Sequence, residues 1–95
     1  MSERQRIDLW LYRARFFKTR AAAARLVAEG GVRFVREGAP RRLEKASAEV
    51  EAGDILVLPL RGALVSVRIV ALAARRGPAS EARALYSELD AEALA

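Results

Sequence analysis

The chain reads as an α+β domain: two short N-terminal helices packed on a small, mostly antiparallel sheet, followed by a short C-terminal helix. Three observations predict it. Apolar residues recur at helical spacing from Ile7 to Ala14 and again from Ala22 to Val27. From Val32 onward, Val- and Ile-rich runs are separated by glycine-containing turns, as strands are. After Pro78, a residue suited to a helix's first turn, Ala82, Leu85, Tyr86 and Leu89 return to helical spacing. The 95 residues, 53% of them hydrophobic, suit one folded unit over 1–95 and argue against a disordered chain.

Each element has a local reason. Ile7, Trp10, Leu11 and Ala14 fall at i, i+3, i+4 and i+7, one face of a helix. Asp8 sits in its first turn and Arg13 and Arg15 at its far end, where the helix dipole favours each charge. Trp10, central in the stripe, belongs to the core more naturally than to a base-stacking platform. Phe16 and Phe17 form the connection, one expected inside and the other covering the corner or stacking on a partner. Thr19 is an N-cap for a helix over Arg20–Glu29, which Gly30-Gly31 stops.

Val32–Val35 is a short strand, and Arg36 to Pro40 a turn in which Pro40 ends any pairing. Arg41, Arg42 and Lys45 then make a basic loop, either a second contact patch or a solvated segment. Gly53-Asp54 leads into a buried strand at Ile55–Leu58, and Leu64 to Leu72 is its longer partner. The last helix is expected over Ala79–Leu89, with Glu81, Glu88, Asp90 and Glu92 making this end acidic.

Charge narrows the function. The net charge is +5 with a pI near 10.7, which suits a polyanionic partner. Residues 1–42 carry eleven Lys/Arg against four Asp/Glu, and residues 43–95 carry six against eight. The positive field therefore belongs to the first half. With no Cys and no His, thiolate and imidazole metal sites, disulfides and the Cys–His and Ser–His–Asp nucleophiles are excluded. Asp8 among its cations is explained by the dipole or an ion pair, and Glu49, Glu51 and Asp54 lack metal-ligand spacing. No phosphate loop is present. The chain is expected to be a non-enzyme without cofactor. No apolar run approaches the roughly 20 residues of a membrane span, and no secretory signal is seen at the N-terminus, so a cytoplasmic monomer is expected.

The chemistry concentrates at Arg13-Ala14-Arg15-Phe16-Phe17-Lys18-Thr19-Arg20, four cations in eight residues at a helix–helix corner. Arginine forks bind phosphate bidentately and stack on bases, and the amides opening the second helix add an anion site beside Arg20. Arg6, Arg13, Arg15, Lys18, Arg20 and Arg25 would outline a folded RNA backbone by shape. Arg33, Arg42 and Lys45 extend this candidate set. Composition does not separate RNA from DNA, and a helix hairpin docking an acidic protein is the alternative of another class.

The run Arg6-Ile7-Asp8-x-Trp10-Leu11-x-x-x-Arg15-x-x-Lys18-Thr19-Arg20-x-x-Ala23, followed by Gly31-Val32, Lys45-Ala46-Ser47 and Gly53-Asp54, resembles the S4-type RNA-binding domain over residues 6–58. A second run, Arg75-Arg76-Gly77-Pro78-Ala79-Ser80-Glu81-Ala82 with Leu85-Tyr86, lies in the extension 59–95 and resembles the ribosome-associated heat shock protein 15 family. The resemblance implies an αL fold with RNA bound by the helix pair, on an RNA face of Arg6, Arg13, Arg15, Lys18, Thr19, Arg20 and Arg25. It also implies binding to ribosomal RNA of free large subunits, particularly stalled ones with nascent chain on tRNA. The sequence departs from the family in three ways. Arg36-Glu37-Gly38 replaces the usual Asn-Gly, the following loop is longer, and no long basic C-terminal tail is present.

Overall fold

The computed structural model describes residues 3–89. In chain order it contains β1 (Gln5–Arg6), α1 (Ile7–Arg13), α2 (Arg20–Ala28), β2 (Val32–Arg36), β3 (Ala39–Leu43), β4 (Glu49–Val50), β5 (Ile55–Leu60), β6 (Ala63–Ile69), α3 (Ala79–Arg83) and β7 (Tyr86–Leu89). Five strands form one antiparallel sheet in the order β3-β2-β5-β6-β7, and β1 pairs with β4 separately. The α+β expectation holds.

Helices of 7 and 9 residues are too short to persist alone in water, so packing must hold them. Ile7, Trp10 and Leu11 of α1 and Ala23 and Val27 of α2 are fully buried. They lie against Val32 and Phe34 of β2, Leu56 and Leu58 of β5, and Val67 and Ile69 of β6. Burying a large side chain of this kind contributes roughly 1.5–3 kcal/mol. The stripe read from the sequence is thus what fixes α1 to one face of the sheet. On the opposite face Arg42, Arg33, Val57, Ser66 and Leu89 stand in one cross-strand row, which no helix among the described residues covers.

The backbone donors that open α1 are satisfied by a distant loop. Ile7 N–H donates to Ala48 O at 2.8 Å and Asp8 N–H to Ala46 O at 3.4 Å. This gives Lys45-Ala46-Ser47 a structural role, holding the start of α1 next to the short β1–β4 ladder. For α2, Thr19 Oγ1 accepts from Ala22 N–H at 3.0 Å, the expected N-cap.

Three expectations are corrected. Pro40 does not end pairing: it lies inside β3, opposite Val35. β3 is an edge strand, where a residue without an N–H is tolerated. Consequently Arg41 and Arg42 belong to a strand and not to a loop. The last helix stops at Arg83, and Tyr86–Leu89 returns as β7 on β6, with Tyr86 opposite Ile69. Residues at 82, 85, 86 and 89 satisfy helical spacing, but the free edge of β6 wins the segment, since sheet pairing outweighs weak local propensity. The partner strand of β5 ends at Ile69 instead of Leu72. Asp90 and Glu92 of the acidic end lie outside the described residues.

Candidate nucleic-acid interface

The corner between α1 and α2 is shaped by how α1 ends. Arg15 N–H donates to Tyr12 O at 3.1 Å and Phe16 N–H to Leu11 O at 3.0 Å, the paired bonds of a Schellman turn. That turn needs a left-handed residue, usually glycine, and here it is Arg15 at φ 66°. A side chain there costs on the order of 1 kcal/mol relative to glycine. The cost is offset by contacts: Phe16 packs on Trp10 with centroids 5.9 Å apart and on Tyr86 at 4.7 Å. Both phenylalanines are half-buried against the core, so neither is fully inside as one was expected to be.

Segment 71–78 straps the corner from outside. Trp10 Nε1–H donates to Ala71 O at 3.0 Å, Arg13 Nη1 to Ala73 O at 2.7 Å, and Arg15 Nε to Gly77 O at 2.6 Å. In return Arg76 donates to Tyr12 O at 3.2 Å and Phe17 O at 3.4 Å, with its guanidinium 4.8 Å from the Tyr12 ring centroid. The strap therefore satisfies carbonyls at the end of α1, an end rich in unpaired acceptors. Arg76 was legible only as part of the run Arg75-Arg76-Gly77-Pro78. Nothing in its spacing announced a contact with Tyr12.

Asp8 organises the other cations. Its buried carboxylate accepts from Arg6 Nε at 3.1 Å and Nη2 at 3.0 Å, from Arg20 Nε at 3.3 Å, and from Leu9 N–H at 2.8 Å. Burial works to raise the Asp8 carboxyl, yet the hydrogen bonds from Arg6, Arg20 and Leu9 outweigh it and hold the group below its ordinary value. Asp8 is an anchor, and the side chains of Arg6 and Arg20 remain 47% and 44% exposed. Their outer faces are thus presented in fixed directions.

The structure divides the candidate residues. Arg6, Arg13, Arg15, Lys18, Thr19 and Arg20 surround the two ends of α1 and the start of α2, and exposed Arg25 lies further along α2. Lys45 stands beside the loop that receives the start of α1. Among the described residues, Lys18 and Arg25 make no ion pair, whereas Arg13 and Arg15 each spend donors on the strap. Arg33 and Arg42 do not join this group: they pair across β2 and β3 on the sheet's far face. Arg36, which stands in the family's Asn-Gly region, is bound bidentately to buried Asp54 at 2.9 and 2.8 Å. That pair and Glu51 explain the acidic cluster as a brace between β2 and the turn before β5. Among the described residues no group of three His, Cys, Asp or Glu is placed to hold a metal ion.

Comparison with known proteins agrees with this geometry. The S4 domain model matches residues 5–33, from β1 through both helices into β2. A trimeric structure of Vibrio cholerae heat shock protein 15 superposes with a TM-score of 0.80 at 34% identity, covering 92% of this chain and 83% of that one. The chain belongs to the heat shock protein 15 family. The heat shock protein 15 homolog of Haemophilus influenzae is 36% identical over 91 residues, 95% of this chain and 66% of its own length. Heat shock protein 15 of Escherichia coli strain K12 is 37% identical over 83 residues, 87% of this chain and 59% of its own length. The chain thus spans about three-fifths to two-thirds of these curated relatives. The S4-domain and heat shock protein 15 relatives form a non-catalytic RNA-binding family.

Proposed function

We propose that this protein binds structured ribosomal RNA of the large subunit, in the cytoplasm, through the α1–α2 corner, and serves stalled or free subunits, including those holding tRNA with nascent chain. The observation that carries the RNA-contact assignment is the coincidence of the S4 match with the corner's exposed cations. Lys18, Arg25 and the outer faces of Arg6 and Arg20 take phosphates, with Lys45 beside them. Thr19 fixes the helix start by accepting from Ala22 N–H. Arg13 and Arg15 act chiefly by tying the corner to the strap. On this reading residues 6–58 are the RNA-binding part of a single domain and 59–95 its brace. The subunit assignment rests on the family alone.

Ribosomal RNA binding measured against salt tests the corner. Log affinity should fall with log salt by roughly 0.7–0.9 per phosphate neutralised, and Lys18→Ala should remove about one such contact. Salt-independent binding would end the proposal, as would preference for duplex DNA in a competition at one salt. Sedimentation of cell extract on a sucrose gradient tests the subunit: the protein should travel with free large subunits. The interface needs residues from one chain only, which suits a monomer. The Vibrio cholerae relative was solved as a trimer, so sedimentation equilibrium of the pure protein is the companion measurement.

A further inference from the structure

The face of the sheet that α1 and α2 leave open carries a cation pair that no carboxylate among the described residues explains. Arg33 and Arg42 are direct cross-strand partners on β2 and β3, where like charges destabilise a ladder. Among the described residues neither makes an ion pair or a side-chain hydrogen bond. By contrast Arg36, three positions along β2, is bound to Asp54 at both ends of its fork. The end of α2 offers Arg42 a partial partner, because the arginine stem crosses Gly30, with Cδ 3.3 Å from where a Cβ would stand. Two of the carbonyls there are already used, however: Gly30 N–H donates to Val27 O and Gly31 N–H to Leu26 O. Arg33 lacks even that compensation.

Beside the two arginines lies a groove of about 270 Å³ lined by Gly30, Gly31, Arg33, Arg42, Val57 and Leu64. Leu64 is 75% exposed, the most exposed large apolar side chain among the described residues. Two forks beside an apolar shelf suit an anion that carries a flat, apolar body. A bare inorganic anion would have no use for Leu64. In a duplex the bases are stacked inward and out of reach of such a shelf, whereas a single strand can lay them on it.

We propose that Arg33 and Arg42 bind the backbone of a single-stranded RNA segment, one phosphate between the two forks and the adjoining nucleoside on Val57 and Leu64. This rests on the RNA reading of the corner and adds a second contact region on the other side of the sheet. One RNA that reaches both regions gains affinity through effective concentration. The corner would hold a folded element and the sheet the strand that leaves it.

The test uses a ribosomal RNA hairpin with and without a single-stranded uridine tail long enough to pass around a body of 32 × 31 × 26 Å. The wild-type protein should bind the tailed hairpin tighter by at least about tenfold, with a salt slope steeper by roughly 0.7 for the added single-strand phosphate. Arg33→Gln/Arg42→Gln should lose that tail-dependent gain with no loss of melting temperature, since it also relieves the like-charge repulsion across the ladder. Arg33→Lys/Arg42→Lys should keep the added slope, since the charges remain. Lys18→Gln should weaken both hairpins while preserving their ratio. A wild-type protein indifferent to the tail overturns the site, as does a gain that survives in the glutamine variant, or one that a polyglutamate peptide removes as readily as free uridine strand does. If neither hairpin binds the wild-type protein, it is the corner reading that has failed, and the sheet site falls with it.

Discussion

The two helices of the corner end in the same turn with different residues. Both close with a Schellman pair, α1 through Arg15 and Phe16, α2 through Gly30 and Gly31. At α2 the left-handed residue is Gly30 at φ 76° and costs little, whereas at α1 it is Arg15 at φ 66°. Where the turn needs only to stop a helix, glycine suffices. Where it must also carry a guanidinium to Gly77 O and an aromatic ring onto Trp10, the chain accepts local strain for a tertiary contact. Strain of this kind gathers at functional sites because the surroundings over-determine it.

The largest test of this contrast lies one residue beyond each left-handed position. Phe16→Ala should cost about 3 kcal/mol, since it removes the ring between Trp10 and Tyr86, and lower Tm by more than about 10 °C. At α2 the counterpart Gly31→Ala places a methyl against Leu26, and repacking one side chain should cost about 1–2 kcal/mol. If the two variants melt alike, the corner of α1 is no more dependent on its turn than that of α2.

Next in size is the strap. Arg76→Ala removes the donors to Tyr12 O and Phe17 O and the contact over the Tyr12 ring. The expected loss is about 1–2 kcal/mol, read from urea unfolding, with RNA affinity falling several-fold because the corner loosens. A loss of stability with unchanged affinity would separate the strap from binding.

A smaller effect isolates the strain itself. Arg15→Ala and Arg15→Gly both lose the bond to Gly77 O, but only glycine relaxes the backbone, so the glycine variant should be the more stable by about 1 kcal/mol. Gly30→Ala should cost a similar amount through φ 76° and the Arg42 stem. Equal melting of the two Arg15 variants would show that no strain is held there.

The smallest effect comes from Asp8, which ties the start of α1 to the start of α2. Its folded pKa is lowered, so its contribution is present above the ordinary carboxylate value near 3.9 and is lost as pH falls through the lowered folded value. With arginine partners nearly half exposed, the contribution should stay within about 1 kcal/mol. The difference in unfolding free energy between wild type and Asp8→Asn should shrink below about pH 4. A difference that stays constant from pH 7 to pH 3 would show that the carboxylate's charge is not what matters.

Much of the candidate site was legible because its signals are local. The cations of 13–20, the Thr19 cap and the Trp10 stripe each act within about one turn of chain, and each appears in the structure where the sequence implied. What escaped were the uses of those cations. That Arg13 and Arg15 serve the strap depends on carbonyls 60 and 62 residues away. That Arg33 and Arg42 leave the corner depends on β3 being a strand at all, which Pro40 concealed.

The sequence by itself therefore determined the two helices, the caps of the second, the central strands and the basic corner, because periodicity, capping and turn chemistry operate between near neighbours. Tertiary structure alone decided that Tyr86–Leu89 joins the sheet, that Pro40 sits in an edge strand, that an arginine takes a glycine's place at φ 66°, and which arginines stay free for a partner. Those outcomes follow from which edges and carbonyls remain open once the core has closed. No short window of sequence records that.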